Sequence, residues 1–159
     1  MLQAYQSCGT VRCFCFDSTY PFGFCLGGRL HAAGYLPVGL WGAHVPISKA
    51  RAYLPSYACS LMQSVLELEC DGAYDSLDAV LFCVPCDTLR CISQIWKGKA
   101  PSITFTHPQN RRIAAANDFL AAEYDLVRSK LEKILKTKIS DEAIEKSIEI
   151  SLSAGFSLR

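Results

Sequence analysis

The segment LDAVLFCV (residues 77–84) is a nearly continuous apolar run that follows an acidic turn and stops at Pro85. A short apolar run bounded by turn residues is typical of a strand buried on both faces of a parallel sheet. Other apolar segments with β-forming residues lie at 10–16, 36–41 and 102–106. The sequence therefore predicts a parallel sheet in which residues 77–84 form the clearest buried strand.

Helical patterns alternate with these strands. Apolar residues recur at helical spacing in 58–70 and 110–136, and Asp87 or Thr88 is expected to cap a helix that runs to about residue 96. A short helix is expected at 29–33 and a loop at 44–53. Ser140 is expected to cap the last helix. This rhythm predicts an α/β fold with an open parallel sheet, followed by a C-terminal helical pair.

The first long helix, at 58–70, is expected to present one apolar face. Leu61, Val65 and Leu68 share that face at helical spacing, whereas Gln63 and Glu67 fall elsewhere. The chain as a whole divides into an α/β domain at 1–107, a helical segment at 108–150 and an irregular tail at 151–159. The tail is set apart because its sequence, SLSAGFSLR, abandons the helical pattern.

Composition excludes several classes of protein. The 159 residues suit one domain, and half of them are hydrophobic, which argues against disorder. The net charge of +1 without a basic cluster argues against nucleic-acid binding. No apolar run reaches the roughly 18 residues of a membrane span, and no signal peptide is recognisable. A reducing cytoplasm is the expected compartment, and the charge-poor first half is expected to need a partner.

Nine cysteines are many for a chain of this length. An odd number without a signal peptide argues against a disulfide framework and favours metal or cluster ligation together with several buried thiols. The cysteines expected to be buried are Cys8, Cys13, Cys15, Cys25, Cys70 and Cys91.

Two cysteines, Cys59 and Cys86, lie just before predicted helices, and each follows an apolar segment. The carboxyl ends of parallel strands meet at one edge of a sheet, where ligands gather. A thiolate at a helix N-terminus is stabilised by the helix dipole and by unbonded amides. The two cysteines are therefore candidate metal ligands, and the alternative is two ordinary packed thiols.

The remaining patterns are weaker. Cys83 and Cys86 form a C-x-x-C, which would suit a redox dithiol, although Cys83 is expected to point into the core. Arg90 could meet an anion, but a solvated helix residue is the favoured interpretation, and the pair at 111–112 is expected on the surface. No phosphate-binding loop motif is present. The histidines, expected to be surface or capping residues, are His31, His44 and His107.

Four segments in order resemble one known family. They are HAAGYLPV (31–38), AYLPSYACS (52–60), LDAVLF (77–82) and CDTLR (86–90). Together they resemble the 2-hydroxyacyl-CoA dehydratase family, which also contains benzoyl-CoA reductase type subunits. The resemblance covers roughly residues 28 to 150.

The resemblance implies flavodoxin- or Rossmann-like layers and a 4Fe–4S cluster held by three cysteines of each subunit. Cys59 and Cys86 match the first two of these cysteines. A third would lie in a second α/β domain, which is absent from this shorter chain. The implied partners are a second dehydratase subunit, an ATP-dependent activator protein and an acyl-CoA substrate.

The implied reaction is a radical elimination. One electron reduces the thioester carbonyl of a 2-hydroxyacyl-CoA to a ketyl radical, which expels the hydroxyl group and gives a 2-enoyl-CoA. Because the third ligand is missing, the expectation is a truncated subunit that is inactive by itself. The alternatives are a non-catalytic α/β fragment, a reductase type subunit and a thiol redox protein.

Overall fold

The computed structural model describes residues 12–16, 35–110 and 112–156. Four strands are present in this part of the chain: β1 (Arg12–Phe16), β2 (Leu36–Val38), β3 (Ala79–Cys83) and β4 (Ser102–Phe105). The α-helices are α1 (Ser60–Cys70), α2 (Asp87–Ile95), α3 (Ala115–Leu135) and α4 (Asp141–Phe156). A short 3-10 helix at Ala50–Ala52 interrupts the loop before α1. The helix expected at 29–33 lies outside the described residues.

The strands form one parallel sheet in the order β2-β1-β3-β4. Cys13 of β1 lies opposite Pro37 on one side and Ala79 on the other, and Cys83 of β3 lies opposite Phe105 of β4. The predicted open parallel sheet is therefore confirmed, with β3 in its interior.

Both faces of β3 are covered, as its apolar run predicts. Val80 and Phe82 belong to a core that also contains residues of α1 and α2. Leu81 and Cys83 belong to a second core, built with residues of α3 and α4. Because successive side chains of a strand point to opposite faces, the continuous apolar run supplies both cores at once. The result is a sheet between two helical layers.

The last two helices form a hairpin that is tied at its turn. Glu132 accepts a hydrogen bond from the Ile139 amide at 2.8 Å. Arg128 lies 2.5 Å from the Asp141 carboxylate and also donates to the Ile139 carbonyl. Lys136 ends α3 in the left-handed region, with φ 52°. These contacts connect the two helices across the few residues that separate them.

Two predictions about these helices need correction. α3 begins at Ala115 rather than at residue 110, because the Asn110 side chain accepts the Arg112 amide at 3.1 Å and forms a turn before the helix. α4 continues to Phe156, so the irregular tail expected from residue 151 is wrong for 151–156. Leu152 and Ala154 are good helix formers, which can extend a helix already begun. The Ser140 cap is confirmed, since its hydroxyl accepts the Ala143 amide at 3.2 Å.

The predicted apolar face of α1 is confirmed at Val65, which is 0% exposed, but it is wrong at Leu61. Leu61 is 38% exposed, whereas Met62 and Leu66 are buried. Glu67, expected away from the core, is only 3% exposed. The buried side of α1 is wider than the apolar pattern predicts, because it also carries a polar residue that binds the preceding loop.

Gly42 marks the closest approach of that loop to α1. A Cβ atom at this position would lie 2.0 Å from Oγ of Ser64 and 3.0 Å from Cδ1 of Leu61. Gly42→Ala is therefore expected to lower the free energy of unfolding by about 1–3 kcal/mol through overpacking. Chemical denaturation measures the loss. Ser64→Ala in the same chain should recover part of it, because it removes the nearest atom. An unchanged stability in Gly42→Ala would show that the loop does not pack here.

Candidate functional site: two cysteines at helix N-termini

Cys59 and Cys86 occupy equivalent local positions. Each is the N-cap residue of its helix, with extended backbone angles of φ −61° and ψ 142° at Cys59 and φ −140° and ψ 164° at Cys86. The Cys59 carbonyl accepts the Gln63 amide, and the Cys86 carbonyl accepts the Arg90 amide, both at 3.1 Å. The cap expected at residue 87 or 88 is therefore wrong by one or two positions, since α2 starts one residue after Cys86.

Both thiols are accessible. Cys59 and Cys86 are exposed, and neither side chain forms a capping hydrogen bond to its helix. An N-cap cysteine leaves the amides of the first helical turn without side-chain acceptors, so that end of the helix favours negative charge. Each thiol thus lies at a helix N-terminus, where a soft metal could reach it.

Cys86 lies at the carboxyl edge of the sheet, three residues beyond β3. A cavity of about 500 Å³ opens at the same edge and is lined by Val84, Thr106 and His107 from the ends of β3 and β4, with Arg90 from α2. Arg90 is exposed and lies 3.8 Å from Asp87, which confirms it as a solvated helix residue. Within the described residues, no three cysteine, histidine, aspartate or glutamate side chains come together as a metal site.

The loop that leads to Cys59 is held by contacts that the sequence did not predict. Residues 39–59 connect β2 to α1, and two side chains of α1 bind this connection at separate points. Glu67 accepts hydrogen bonds from the amides of Ser48, Lys49 and Ala50 at 3.0, 3.1 and 2.8 Å, and from the Ser48 hydroxyl at 2.8 Å. The amide of Ala50, followed by the other donors, lowers the pKa of the Glu67 carboxyl to about 2.

Gln63 binds the other end of the connection. Its side-chain amide donates to the Ala58 carbonyl at 2.7 Å and to the Ser56 carbonyl at 3.3 Å. Gln63 and Glu67 were assigned to the polar side of α1 and given no role by the sequence pattern. A usable signal was present, because two polar residues at i and i+4 share one helix face and can act on the same neighbour.

The other cysteines separate into different environments. Cys83 is 3% exposed within the α3–α4 core, as predicted, so the C-x-x-C joins a buried sulfur to an exposed one. Cys91 is exposed, and its predicted burial is wrong, because it lies on the outer face of α2. Cys70 is half-buried, and burial raises its pKa. The side chains of Cys8, Cys13, Cys15 and Cys25 lie outside the described part.

The histidines also differ from one another. His44 is exposed, as expected. His107 is half-buried and packs edge-on against Phe105, with ring centres 5.6 Å apart, so its surface or capping assignment is wrong. Its position at the end of β4 places it against the α3 layer. His31 and Arg111 lie outside the described residues, and Arg112 is exposed as predicted.

Comparison with known proteins decides the family. The model of the family described as "2-hydroxyglutaryl-CoA dehydratase, D-component" matches residues 30–154, which include both candidate cysteines. This chain belongs to that family. The resemblance drawn from its four segments is thereby confirmed.

Three curated relatives of this chain are named as subunits of CoA dehydratases or of a CoA reductase. The chain is 63% identical over 122 residues to lactoyl-CoA dehydratase subunit beta of Anaerotignum propionicum, covering 76% of this chain and 33% of that protein. It is 43% identical over 122 residues to the (R)-phenyllactyl-CoA dehydratase beta subunit of Clostridium sporogenes, covering 75% and 33%. It is 33% identical over 126 residues to one of the subunits of benzoyl-CoA reductase from Thauera aromatica, covering 76% and 33%. The chain thus spans about a third of the length of these relatives.

Among the described residues of this family member, no helix is both long enough and apolar enough to cross a membrane.

Proposed function

We propose that this chain acts as part of a 2-hydroxyacyl-CoA dehydratase, in which Cys59 and Cys86 are two thiolate ligands of a 4Fe–4S cluster. The reaction is the elimination of water from a 2-hydroxyacyl-CoA to give a 2-enoyl-CoA. Higher identity to the dehydratase beta subunits than to the reductase subunit supports a dehydratase. The partners would be a second dehydratase subunit and an ATP-dependent activator protein, and the activity would belong to that assembly.

The observation that carries the proposal is the matched placement of the two cysteines. Both are exposed N-cap residues, and both lie in the matched region of the family. Thiolates are the donors that iron–sulfur clusters require, so the chemistry of the two residues fits the group. A cluster held there would supply one-electron transfer. The third cysteine would come from outside the described residues.

The protein around the two thiols would provide a favourable electrostatic environment and a surface that a partner can cover. The N-termini of α1 and α2 would favour a bound group that carries negative charge, as helix N-termini generally do. The Tyr57 side chain, two residues before Cys59 in the sequence, is an exposed aromatic surface, with 89% of its area accessible. A partner that covered this surface would exclude water from the site.

The thiol pair is tested first with a soft metal. Anaerobic titration of the reduced chain with Cd²⁺, followed by sulfur-to-metal absorption, is expected to reveal binding that involves both cysteines. Cys59→Ser and Cys86→Ser should each weaken it by at least about tenfold, because each removes a direct ligand. Cys91→Ser is the matched control, since it removes another exposed thiol of α2. Equal binding in all four proteins would contradict the shared site.

The cluster is tested next by anaerobic reconstitution with iron and sulfide. The isolated chain is expected to retain little cluster, because two cysteines are too few to hold it securely, and to show no dehydratase activity. Iron and sulfide quantification and EPR of the reduced sample measure this. A stable cluster in the isolated chain would contradict the expectation that two cysteines are too few to hold it. A cluster that survives in Cys59→Ser would contradict the ligand assignment.

A further inference from the structure

We propose that Gln63 and Glu67 are positioning residues, which hold both ends of the 48–58 connection against α1 and so fix the place of the Cys59 thiol. The inference rests on the proposed function, in which Cys59 is a ligand. It adds a support that neither the cysteine pattern nor the family match identifies.

The proximal contact is made by Gln63. Its side-chain amide reaches back over the start of α1 and donates to two carbonyls, those of Ala58 and Ser56. Ala58 immediately precedes Cys59 and is buried. The bond to its carbonyl, 2.7 Å long, fixes the peptide unit that joins Ala58 to Cys59. The backbone from which the thiol projects is therefore held by a residue one turn into the same helix.

The distal contact is made by Glu67. Its carboxylate gathers four donors of residues 48–50 at the start of the 3-10 helix. This carboxylate supplies acceptors for amides that a short helix leaves unbonded. Because the Glu67 side chain is buried, water cannot easily replace it as an acceptor.

The backbone between these two contacts is also secured. The Ala50 carbonyl accepts the amides of Tyr53 and Leu54 at 3.0 and 2.9 Å, and the Pro55 carbonyl accepts the Ala58 amide at 3.0 Å. Leu54 is 4% exposed and belongs to the same core as α1. The connection is thus fixed at its start, its middle and its end.

Fixing the connection matters for ligation because a mobile ligand must lose conformational freedom when it binds. A ligand held near its bound place in advance loses less, which raises affinity. Gln63 and Glu67 do not touch the metal site themselves. They act through the backbone of the 48–58 connection, which leads directly to Cys59.

The test uses Gln63→Met, which keeps the length of the side chain and removes both hydrogen bonds. Cd²⁺ affinity of the thiol pair is expected to fall by about tenfold, as for other supporting residues of metal sites. Amide hydrogen exchange should accelerate in residues 53–59 and remain unchanged in β3. Glu67→Gln, which keeps the shape but not the charge, should act in the same direction from the other end of the connection.

Two cysteines of the same chain serve as internal controls for alkylation measured by mass spectrometry. The rate at Cys59 should change in Gln63→Met, whereas the rate at Cys91 should not. Cys83 should stay protected, because it lies in the core between the sheet and the α3–α4 hairpin, away from α1. If exchange and alkylation change equally at Cys59, Cys83 and Cys91, or at none of them, the positioning role is overturned.

The same measurements separate this inference from the proposed function. A selective change at Cys59 in a chain that binds no Cd²⁺ would support positioning and contradict the ligand role. Wild-type binding that survives unchanged in Gln63→Met and in Glu67→Gln would support the ligand role and contradict positioning.

Discussion

Leu131→Ala is expected to lower the free energy of unfolding by about 2–5 kcal/mol, because it removes a fully buried side chain from the core between the sheet and the helical hairpin. Leu131 is 0% exposed and packs in the cluster that contains Leu81 of β3 and Ile103 of β4. The surrounding side chains can collapse only partly into the space that the substitution leaves. Urea denaturation at neutral pH measures the loss.

The same helix provides a matched control for this prediction. Leu126→Ala makes the identical chemical change on α3, but Leu126 is 46% exposed. Its effect is expected to stay within about 0.5 kcal/mol, as for other surface substitutions. Equal losses in the two variants would mean that both faces of α3 are buried in the protein as it exists in solution.

Glu67→Gln is expected to destabilise the protein at neutral pH and to remove part of its sensitivity to acid. The folded pKa of about 2 lies below the ordinary value of 4.5, so the carboxylate contributes stability that is fully present above pH 4.5. That contribution is lost as the pH falls from 4.5 toward 2, because the unfolded chain then takes up a proton that the folded carboxylate does not. The Glu67→Gln variant has no titrating group at this position, so this position adds no pH dependence to its stability over this range.

The measurement is the difference in unfolding free energy between wild type and Glu67→Gln at a series of pH values from 7 to about 2. The difference should be largest at neutral pH and should shrink through the acid range. Glu145→Gln removes one carboxylate from an exposed position of α4 and serves as the control. A wild-type to Glu67→Gln difference that is constant with pH would contradict the four hydrogen bonds to the carboxylate.

The sheet could be predicted because its evidence lies within short segments. Residues 79–83 are all buried, on two faces at once, so their sequence is apolar whatever surrounds it. The positions of Cys59 and Cys86 near helix starts could be predicted to within two residues, although the residues expected to cap the second helix were wrong. The family resemblance then made the two cysteines candidate cluster ligands.

The inner face of α1 could not be predicted in the same way. Glu67 is buried because it meets amides of residues 48–50, which lie far from it in sequence and which no periodicity reveals. The prediction for Cys91 was wrong in the opposite direction. Its residue type suggested burial, but it lies on the outer side of α2 and is exposed. Both errors concern contacts between elements rather than the elements themselves.

The tied turn between α3 and α4 has a consequence for the order of folding. Arg128 and Glu132 reach only to residues 139 and 141, so the hairpin closes a short loop. In contrast, β1 must find β3 across the whole segment from Cys13 to Ala79. Contacts between residues close in sequence cost less chain entropy and form sooner than distant ones. We therefore expect the α3–α4 hairpin to form early in folding. The pairing of β1 with β3 is expected to be the slow step.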